Sequence, residues 1–228
     1  KEHHLQYSAD YEAQRKEDER KEAWKQDQAA QREKAKEANT IIERIIGLSH
    51  PYLKDYILQR RIDYDIAKQY CKEVHYRIYN KSYYAIAFEN IEGGMEARNK
   101  YSKRSIGKKS ISIIRPNNEL HKECCIFEGF FDMLTYASIK RWITGNELCL
   151  PHECDYLVLN SVSNIKVLMP YLQEYTVIHC YLDNDDAGAK TVEKIKVAYQ
   201  DKVVDESYRY VNYKDVNDVI NGIVKPPK

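Results

Sequence analysis

Tyr175-Thr176-Val177-Ile178-His179-Cys180-Tyr181-Leu182-Asp183-Asn184-Asp185-Asp186-Ala187-Gly188 is the stretch that decides the fold. Its first eight residues are largely apolar and rich in β-branched and aromatic side chains, the composition of a buried strand. The run then breaks into an acidic turn, where Gly188 permits a tight bend and close approach of a ligand to the backbone. Two other segments follow the same pattern. Cys124-Cys125-Ile126-Phe127 leads into Glu128-Gly129-Phe130-Phe131-Asp132, and Tyr208-Arg209-Tyr210-Val211 leads toward Lys214-Asp215-Val216-Asn217-Asp218. Acids placed straight after short strands gather at the C-terminal edge of a parallel sheet, where open α/β sheets hold their ligands.

Outward from that stretch, the pattern predicts strands at 124–127, 155–159, 176–182 and 207–211, and helices at 130–142, 163–173, 186–199 and 215–221. Alternation of this kind makes an α/β fold, a mostly parallel sheet flanked by helices. Upstream, helices at 51–60 and 64–73 precede strands at 74–79, 83–89, 95–101 and 110–114, with a hairpin turn at Gly93-Gly94. Residues 9–46 contain no Gly or Pro and are rich in Glu, Lys, Gln, Arg and Ala, so they read as one long helix. Its last turns, with Ile41, Ile42, Ile45 and Ile46, are expected to dock on the body. The expected division is a charged helical linker over 1–47, a small basic α+β subdomain over 48–121, and the α/β domain over 122–228.

The chain has 228 residues, 36 basic and 35 acidic, so its net charge of +1 selects no partner. Local charge does. Residues 97–115 carry Arg98, Lys100, Lys103, Arg104, Lys108, Lys109 and Arg115 and no acid. Such a stretch binds nucleic-acid phosphates, or it is a solvated hairpin whose lysines guard an edge against aggregation. No apolar run is long enough to span a membrane. No signal-peptide pattern opens the chain, and a start at Lys1 reads as a fragment or a processed chain. The six cysteines form no CxxC pair, and Cys124 and Cys180 fall in strands, as reduced thiols of a cytoplasmic protein would. Cys149, His152 and Cys154 lack the paired spacing of structural zinc sites and read as a surface loop.

The acidic turns carry the chemistry. Asp183 and Asp185, at i and i+2, can point into one crevice. Hard cations such as Mg²⁺ or Mn²⁺ are held by one or two carboxylates together with substrate phosphates. Glu128 can add a ligand or serve as a general acid or base. Asp132, Asp185 and Asp215 also stand where helix N-caps and first-turn acids are favoured. Three such turns in one α/β pattern, however, gather like charge that calls for a cation.

These residues resemble the Toprim domain shared by DnaG-type primases, topoisomerases and some nucleases. The likeness rests on Glu128-Gly129-x-x-Asp132, Leu182-Asp183-Asn184-Asp185-x-Ala187-Gly188 and Lys214-Asp215-x-Asn217-Asp218, over roughly residues 122–222. Upstream, Tyr56-Ile57-x-x-Arg60-Arg61-Ile62 is similar to the "YLxxRGI" segment of primase cores, with Arg61 where that segment has Gly. Ala85-Ile86-Ala87-Phe88-x-Asn90-x-x-Gly93-Gly94, with Glu96, Arg98 and Asn99, looks like the basic subdomain of primases carried by plasmids and mobile elements. The resemblance implies a DNA primase, a nucleotidyltransferase making short RNA primers on single-stranded DNA from nucleoside triphosphates, with a replicative helicase as a further partner. It makes Glu128, Asp183 and Asp185 the catalytic metal site, with Asp215 as a further acid, and assigns phosphate contacts to Arg98, Lys100, Lys103, Arg104, Lys108 and Lys109. The third motif departs from the usual Asp-x-Asp, because Asn217 holds its second place. The zinc-binding domain that precedes such cores has no counterpart, so zinc is not expected. A Toprim nuclease would use the same acids with water as nucleophile. A non-catalytic single-stranded nucleic-acid-binding protein would use the basic stretch alone.

Overall fold

The computed structural model describes residues 2–224, with side chains described for residues 15–32, 35 and 39–224. The chain divides into two compact units, Lys1–Ile42 with Tyr76–Tyr83, and Glu43–His75 with Tyr84–Lys228.

In the first unit, α1 (Glu2–Ala38) is a helix of good helix formers. It is laced by the i,i+4 pairs Arg15–Glu19 and Glu17–Lys21. It ends earlier than the composition predicts. Asn39 donates its side-chain amide back to the Ala35 carbonyl at 2.7 Å, and the chain turns into strand β1 (Thr40–Gly47). The four isoleucines expected to close the helix and dock therefore lie in a strand and are exposed. Thr40, Ile41, Ile42, Ile45 and Ile46 are β-branched, and that stiffness favours the extended chain once the Ala-rich run stops.

In the second unit, α2 (Pro51–Gln59) begins with proline in its first turn, and α3 (Tyr64–Tyr70) is capped by the Asp63 carboxylate. Strands β2 (Lys72–Ile78), β3 (Lys81–Glu89), β4 (Met95–Asn99) and β5 (Ser102–Ile106) follow, with β3 antiparallel to β4 and β4 antiparallel to β5. The expected strand 95–101 is in fact a hairpin. Asn99 Oδ1 accepts from the amides of Tyr101 and Ser102, both at 2.9 Å, and reverses the chain. In its register Arg98 pairs with Lys103 and Ala97 with Arg104. Arg98 and Lys103 thus share one face, and Arg104 takes the other.

The second sheet runs β10-β9-β7-β8-β6. Strand β7 (Glu123–Phe127) pairs in parallel with both β8 (Asp155–Val158) and β9 (Val177–Tyr181). Strand β10 (Val203–Asp205) continues the parallel set, and β6 (Ser112–Ile114) adds an antiparallel edge. Helices α4 (Phe130–Trp142), α5 (Ile165–Leu168), α6 (Asp186–Tyr199) and α7 (Val216–Asn221) flank it. The expected helix 163–173 is broken, because Pro170 interrupts it and leaves a 3₁₀ segment, Met169–Glu174. The expected strand 207–211 is also a 3₁₀ turn, Ser207–Tyr210. There the Tyr210 hydroxyl is buried and donates to the Leu182 carbonyl at 2.7 Å, while Val203 and Val204 supply the strand instead.

Alternation along the strands builds two cores. Cys125, Phe127, Tyr156 and Tyr181 face α4 and pack with Tyr136. Cys124, Ile126, Leu157, Ile178 and Cys180 face the other way, against Leu168, Val192 and Ile195. All six cysteines are free and buried. Cys154 Sγ lies 3.2 Å from Cys125 Sγ, and Cys149 Sγ points at the Tyr136 carbonyl, so neither joins His152.

Candidate metal and phosphate site

Strand β7 lies between β8 and β9, so the order of connection reverses between β7 and β9. The crevice beyond the C-terminal ends of the strands at such a reversal is the usual ligand site of open α/β sheets. Glu128 follows β7 there, and Asp183 follows β9.

The second turn is fixed from both ends. Gly188, in the first turn of α6, lies so close to strand end β9 that an added Cβ would sit 2.0 Å from the Asp183 carbonyl oxygen. Asp185 caps α6, its Oδ1 accepting from the amides of Ala187 and Gly188 at 3.0 Å each. Its Oδ2 is left for the crevice, 3.8 Å from Lys214 Nζ. Capping and ligation thus use different oxygens of one carboxylate. Asn184 ties in the third turn. Its side-chain amide donates to the carbonyls of Tyr210 and Tyr213 at 2.9 and 3.0 Å, and its backbone amide donates to that of Lys214 at 2.6 Å. That clamp brings Lys214 Nζ to 2.8 Å from Asp183 Oδ2. Asp215 caps α7, accepting from the Asp218 amide at 2.7 Å.

Electrostatics show the carboxylates acting on one another. Burial first, then the charges of Asp183 and Asp185, push Glu128 up to about 7. Burial raises Asp183, with Asp215 and Asp185 adding to it and Lys214 opposing. Asp132, in the first turn of α4, is held well above the carboxylate range by burial and by Asp215 and Asp183. Lys214 is raised to about 12, chiefly by its hydrogen bond to Asp183. Glu128 Oε2 is buried without a hydrogen-bond partner. A hard, all-oxygen donor set with an orphaned buried oxygen fits a divalent cation of the Mg²⁺ type.

One consequence is a pH dependence. Glu128 is raised in the folded state, so its contribution to stability is fully present below the unfolded value of 4.5 and lost as pH rises through about 7. Asp183, Asp132 and Asp218 shift the same way. The metal-free chain should therefore lose stability from pH 5 to pH 8. Glu128→Gln should remove on the order of 1 kcal/mol of that loss, a figure discounted for the side chain's partial exposure. Urea unfolding in chelator at both pH values measures it, and equal slopes in the two proteins would contradict it.

The basic stretch is only partly assembled around these acids. Arg98 stacks its guanidinium on the Phe131 ring at 4.8 Å and counteracts the shift of Asp132. Lys103 acts in the same sense on Glu128. Lys108 is paired with Glu92 at 2.9 Å, and Lys100 and Lys109 are exposed. Arg60 also lies over the Phe131 ring, its guanidinium 5.7 Å from the ring centre, and it offsets the shift of Asp218. Asn217 is fully buried, donating to the Arg60 carbonyl at 2.9 Å and to Thr135 Oγ1 at 2.7 Å. It joins α7 to α4, and its backbone amide donates to Asp132 Oδ1 at 3.2 Å.

Residues 125–220 match the Toprim-like family model, and residues 42–107 match a domain of unknown function, DUF8464. No curated protein matches the sequence. Among solved structures, the primase fragment of the bacteriophage T7 primase-helicase protein superposes with a TM-score of 0.52 at 18% identity, over 79% of this chain and 76% of that one. A complex of the bacteriophage T7 lagging-strand DNA polymerase with primase domains of two gp4 subunits, bound to an RNA/DNA hybrid and dTTP, superposes with a TM-score of 0.49 at 17% identity. That overlap spans 72% of this chain and 84% of that one. The C-terminal half is a Toprim-like domain. With the antiparallel sheet before it, the chain has the fold of a Toprim-domain primase core. Among the described residues, no helix is long and apolar enough to cross a membrane.

Proposed function

We propose that this chain is a primase-type nucleotidyltransferase that joins nucleoside triphosphates into short RNA primers on single-stranded DNA. The observation that carries the reading is the partnerless, buried Glu128 Oε2 beside Asp183 and Asp185 at the sheet reversal, with Lys103 acting on it from the basic hairpin. Glu128, Asp183 and Asp185 would hold Mg²⁺ or Mn²⁺, with Asp215 as a supporting acid. Bound there, the cation supplies charge neutralisation for the triphosphate and activation of the attacking hydroxyl. Lys214 holds Asp183 in place and keeps positive charge beside the phosphates. Arg98 and Lys103 face the acids and take phosphate oxygens. Lys100, Arg104, Lys108 and Lys109 contribute to the field that attracts the template. In functional terms residues 1–47 serve as a linker, 48–121 as the basic subdomain and 122–228 as the catalytic domain. The T7 protein of similar fold is named a primase-helicase, and a replicative helicase is a fitting partner here as well. Such an enzyme works in the cytoplasm, on plasmid or other mobile-element replication.

Primer synthesis on single-stranded DNA with Mg²⁺, and in chelator, tests the reading. Cleavage of the DNA without triphosphates would establish a nuclease instead. Binding without either reaction would leave a non-catalytic nucleic-acid-binding protein. The basic hairpin has its own test. Each phosphate neutralised on a single strand adds a slope of about −0.7 in log affinity against log salt. Arg98→Ala with Lys103→Ala should flatten the salt dependence by roughly 1.4 for two lost contacts. An unchanged slope would return the hairpin to a solvated edge.

A further inference from the structure

A second cluster lies on the same strands, away from the acids. Glu123 opens β7, five residues before Glu128, a span of about 17 Å along an extended strand. His179 lies in β9, paired with Cys125, so it shares a sheet face with Glu123. His152 comes from the loop between α4 and β8. Glu123 Oε2 is 2.9 Å from His152 Nε2 and 2.9 Å from His179 Nε2. The three donor atoms lie within 4.8 Å of one another.

The orientation of His179 is imposed from behind. Its Nδ1 is 2.7 Å from Glu206 Oε1, and Glu206 is itself buried and accepts from Arg209 Nε at 2.5 Å. A carboxylate on Nδ1 makes that nitrogen the proton donor and turns the Nε2 lone pair toward Glu123 and His152. Lone pairs of an imidazole and a carboxylate 2.9 Å apart repel unless a cation stands between them. That cation is a proton or a metal.

We propose that Glu123, His152 and His179 form a binding site for a divalent first-row transition metal of the zinc class, with Glu206 as the positioning carboxylate. Two imidazoles and one carboxylate suit Zn²⁺, whereas Mg²⁺ takes oxygen donors and water. Bonds of roughly 2.0–2.1 Å in tetrahedral geometry set the donors roughly 3.4 Å apart. Each Glu123–imidazole separation needs to open by roughly half an ångström, and His152, half exposed on its loop, can supply the movement. Three protein ligands leave a fourth position for water on the solvent side of His152. The ion would tie the loop after α4 to β7 and β9. Cysteine spacing carries no sign of this set, whose ligands are 29 and 56 residues apart.

The test uses the full chain stripped of metal, with Mg²⁺ in excess to occupy the acidic crevice. Zn²⁺ is titrated against a chromophoric chelator, and Co²⁺ is read by its visible absorption. One equivalent of Zn²⁺ should bind and raise the melting temperature. His152→Ala should weaken binding at least about tenfold and abolish the melting shift. That residue is exposed, so circular dichroism should show an unchanged fold. Asp183→Asn should leave Zn²⁺ binding unchanged. No binding in the presence of Mg²⁺, or binding indifferent to His152→Ala, would overturn the site in favour of a proton-bridged triad. Loss of binding in Asp183→Asn would assign the zinc to the acidic crevice and overturn it equally.

Discussion

Asp183→Asn is expected to lower Mg²⁺-dependent nucleotidyl transfer by roughly two to three orders of magnitude, while single-stranded DNA binding stays within about twofold. The carboxylate opens the turn after β9, and its Oδ2 already holds a cation, the ammonium of Lys214 at 2.8 Å. The substitution keeps the shape and removes the charge that a divalent ion would share with Glu128 and Asp185. Stability should not suffer. Asp183 is raised in the folded state, chiefly by burial, so its stabilising contribution is present below its unfolded value of 3.8 and lost as pH rises through the folded one. At neutral pH the ionised group is therefore a burden in the metal-free protein. Lys214, half exposed, loses its partner at little cost. Asp183→Asn should melt at or above the wild-type temperature in chelator, and should gain less from added Mg²⁺. Primer extension, a binding titration and melts with and without Mg²⁺ read the three effects. Full activity in the variant would eliminate the acidic crevice as the reaction centre. A lowered melting temperature in chelator would show that the Lys214 pair outweighs the repulsion.

The parts of the fold that were legible are those where one periodicity dominates. The runs ending in Phe127 and Leu182 are apolar because both faces of a central parallel strand are covered, and the acids after them can only lie at its end. The N-terminal helix was legible from composition, but its end was not. Composition over 9–46 averages helix formers with four isoleucines, and the switch at Asn39 combines a turn back to the Ala35 carbonyl with the β-branched run that follows. The hairpin at Asn99 was missed for the same reason, since a single Asx turn outweighs a continuous strand pattern. Tyr208 to Tyr210 read as a strand because their aromatic rings are apolar, yet burial of the Tyr210 ring and hydroxyl holds them in a 3₁₀ turn.

The candidate site was legible as a pattern of charge, and its supporting contacts were not. Glu128, Asp183, Asp185 and Asp215 are visible because acids after strands are costly without a purpose. Reading Asp185 and Asp215 as caps and reading them as site acids are compatible, because a carboxylate has two oxygens. Asn184 and Lys214 carried no such signal, since a turn asparagine and a surface lysine are commonplace. Only their convergence on Asp183 and the 210–213 carbonyls reveals what they do. Arg61 shows the opposite case. It stands where the similar primase segment has Gly, and its φ of 53° is the conformation that glycine would serve.

Asn217→Asp, which restores the usual third-motif acid, is expected to destabilise the chain by about 3–5 kcal/mol at pH 8 and to add no activity. The reason lies in who can donate. Asn217 is fully buried and gives its two amide hydrogens to the Arg60 carbonyl and to Thr135 Oγ1. Thr135 has one hydroxyl hydrogen, already given to the Phe131 carbonyl at 2.8 Å, so it can only accept from residue 217. A carboxylate there would face two acceptors with nothing to donate. It would also add charge beside Asp132, which burial and neighbouring acids already hold well above its ordinary range. Asn217→Ala loses the same hydrogen bonds without the charge and should cost about 2 kcal/mol. The pH dependence separates the two. A buried aspartate at this position would titrate above its unfolded value, so the penalty of Asn217→Asp should shrink as pH falls from 8 to 5.5, while that of Asn217→Ala stays level. Urea unfolding of both variants at the two pH values decides it. An Asn217→Asp chain as stable as wild type at pH 8, with faster primer synthesis, would mean that position 217 opens to the cation in the working enzyme.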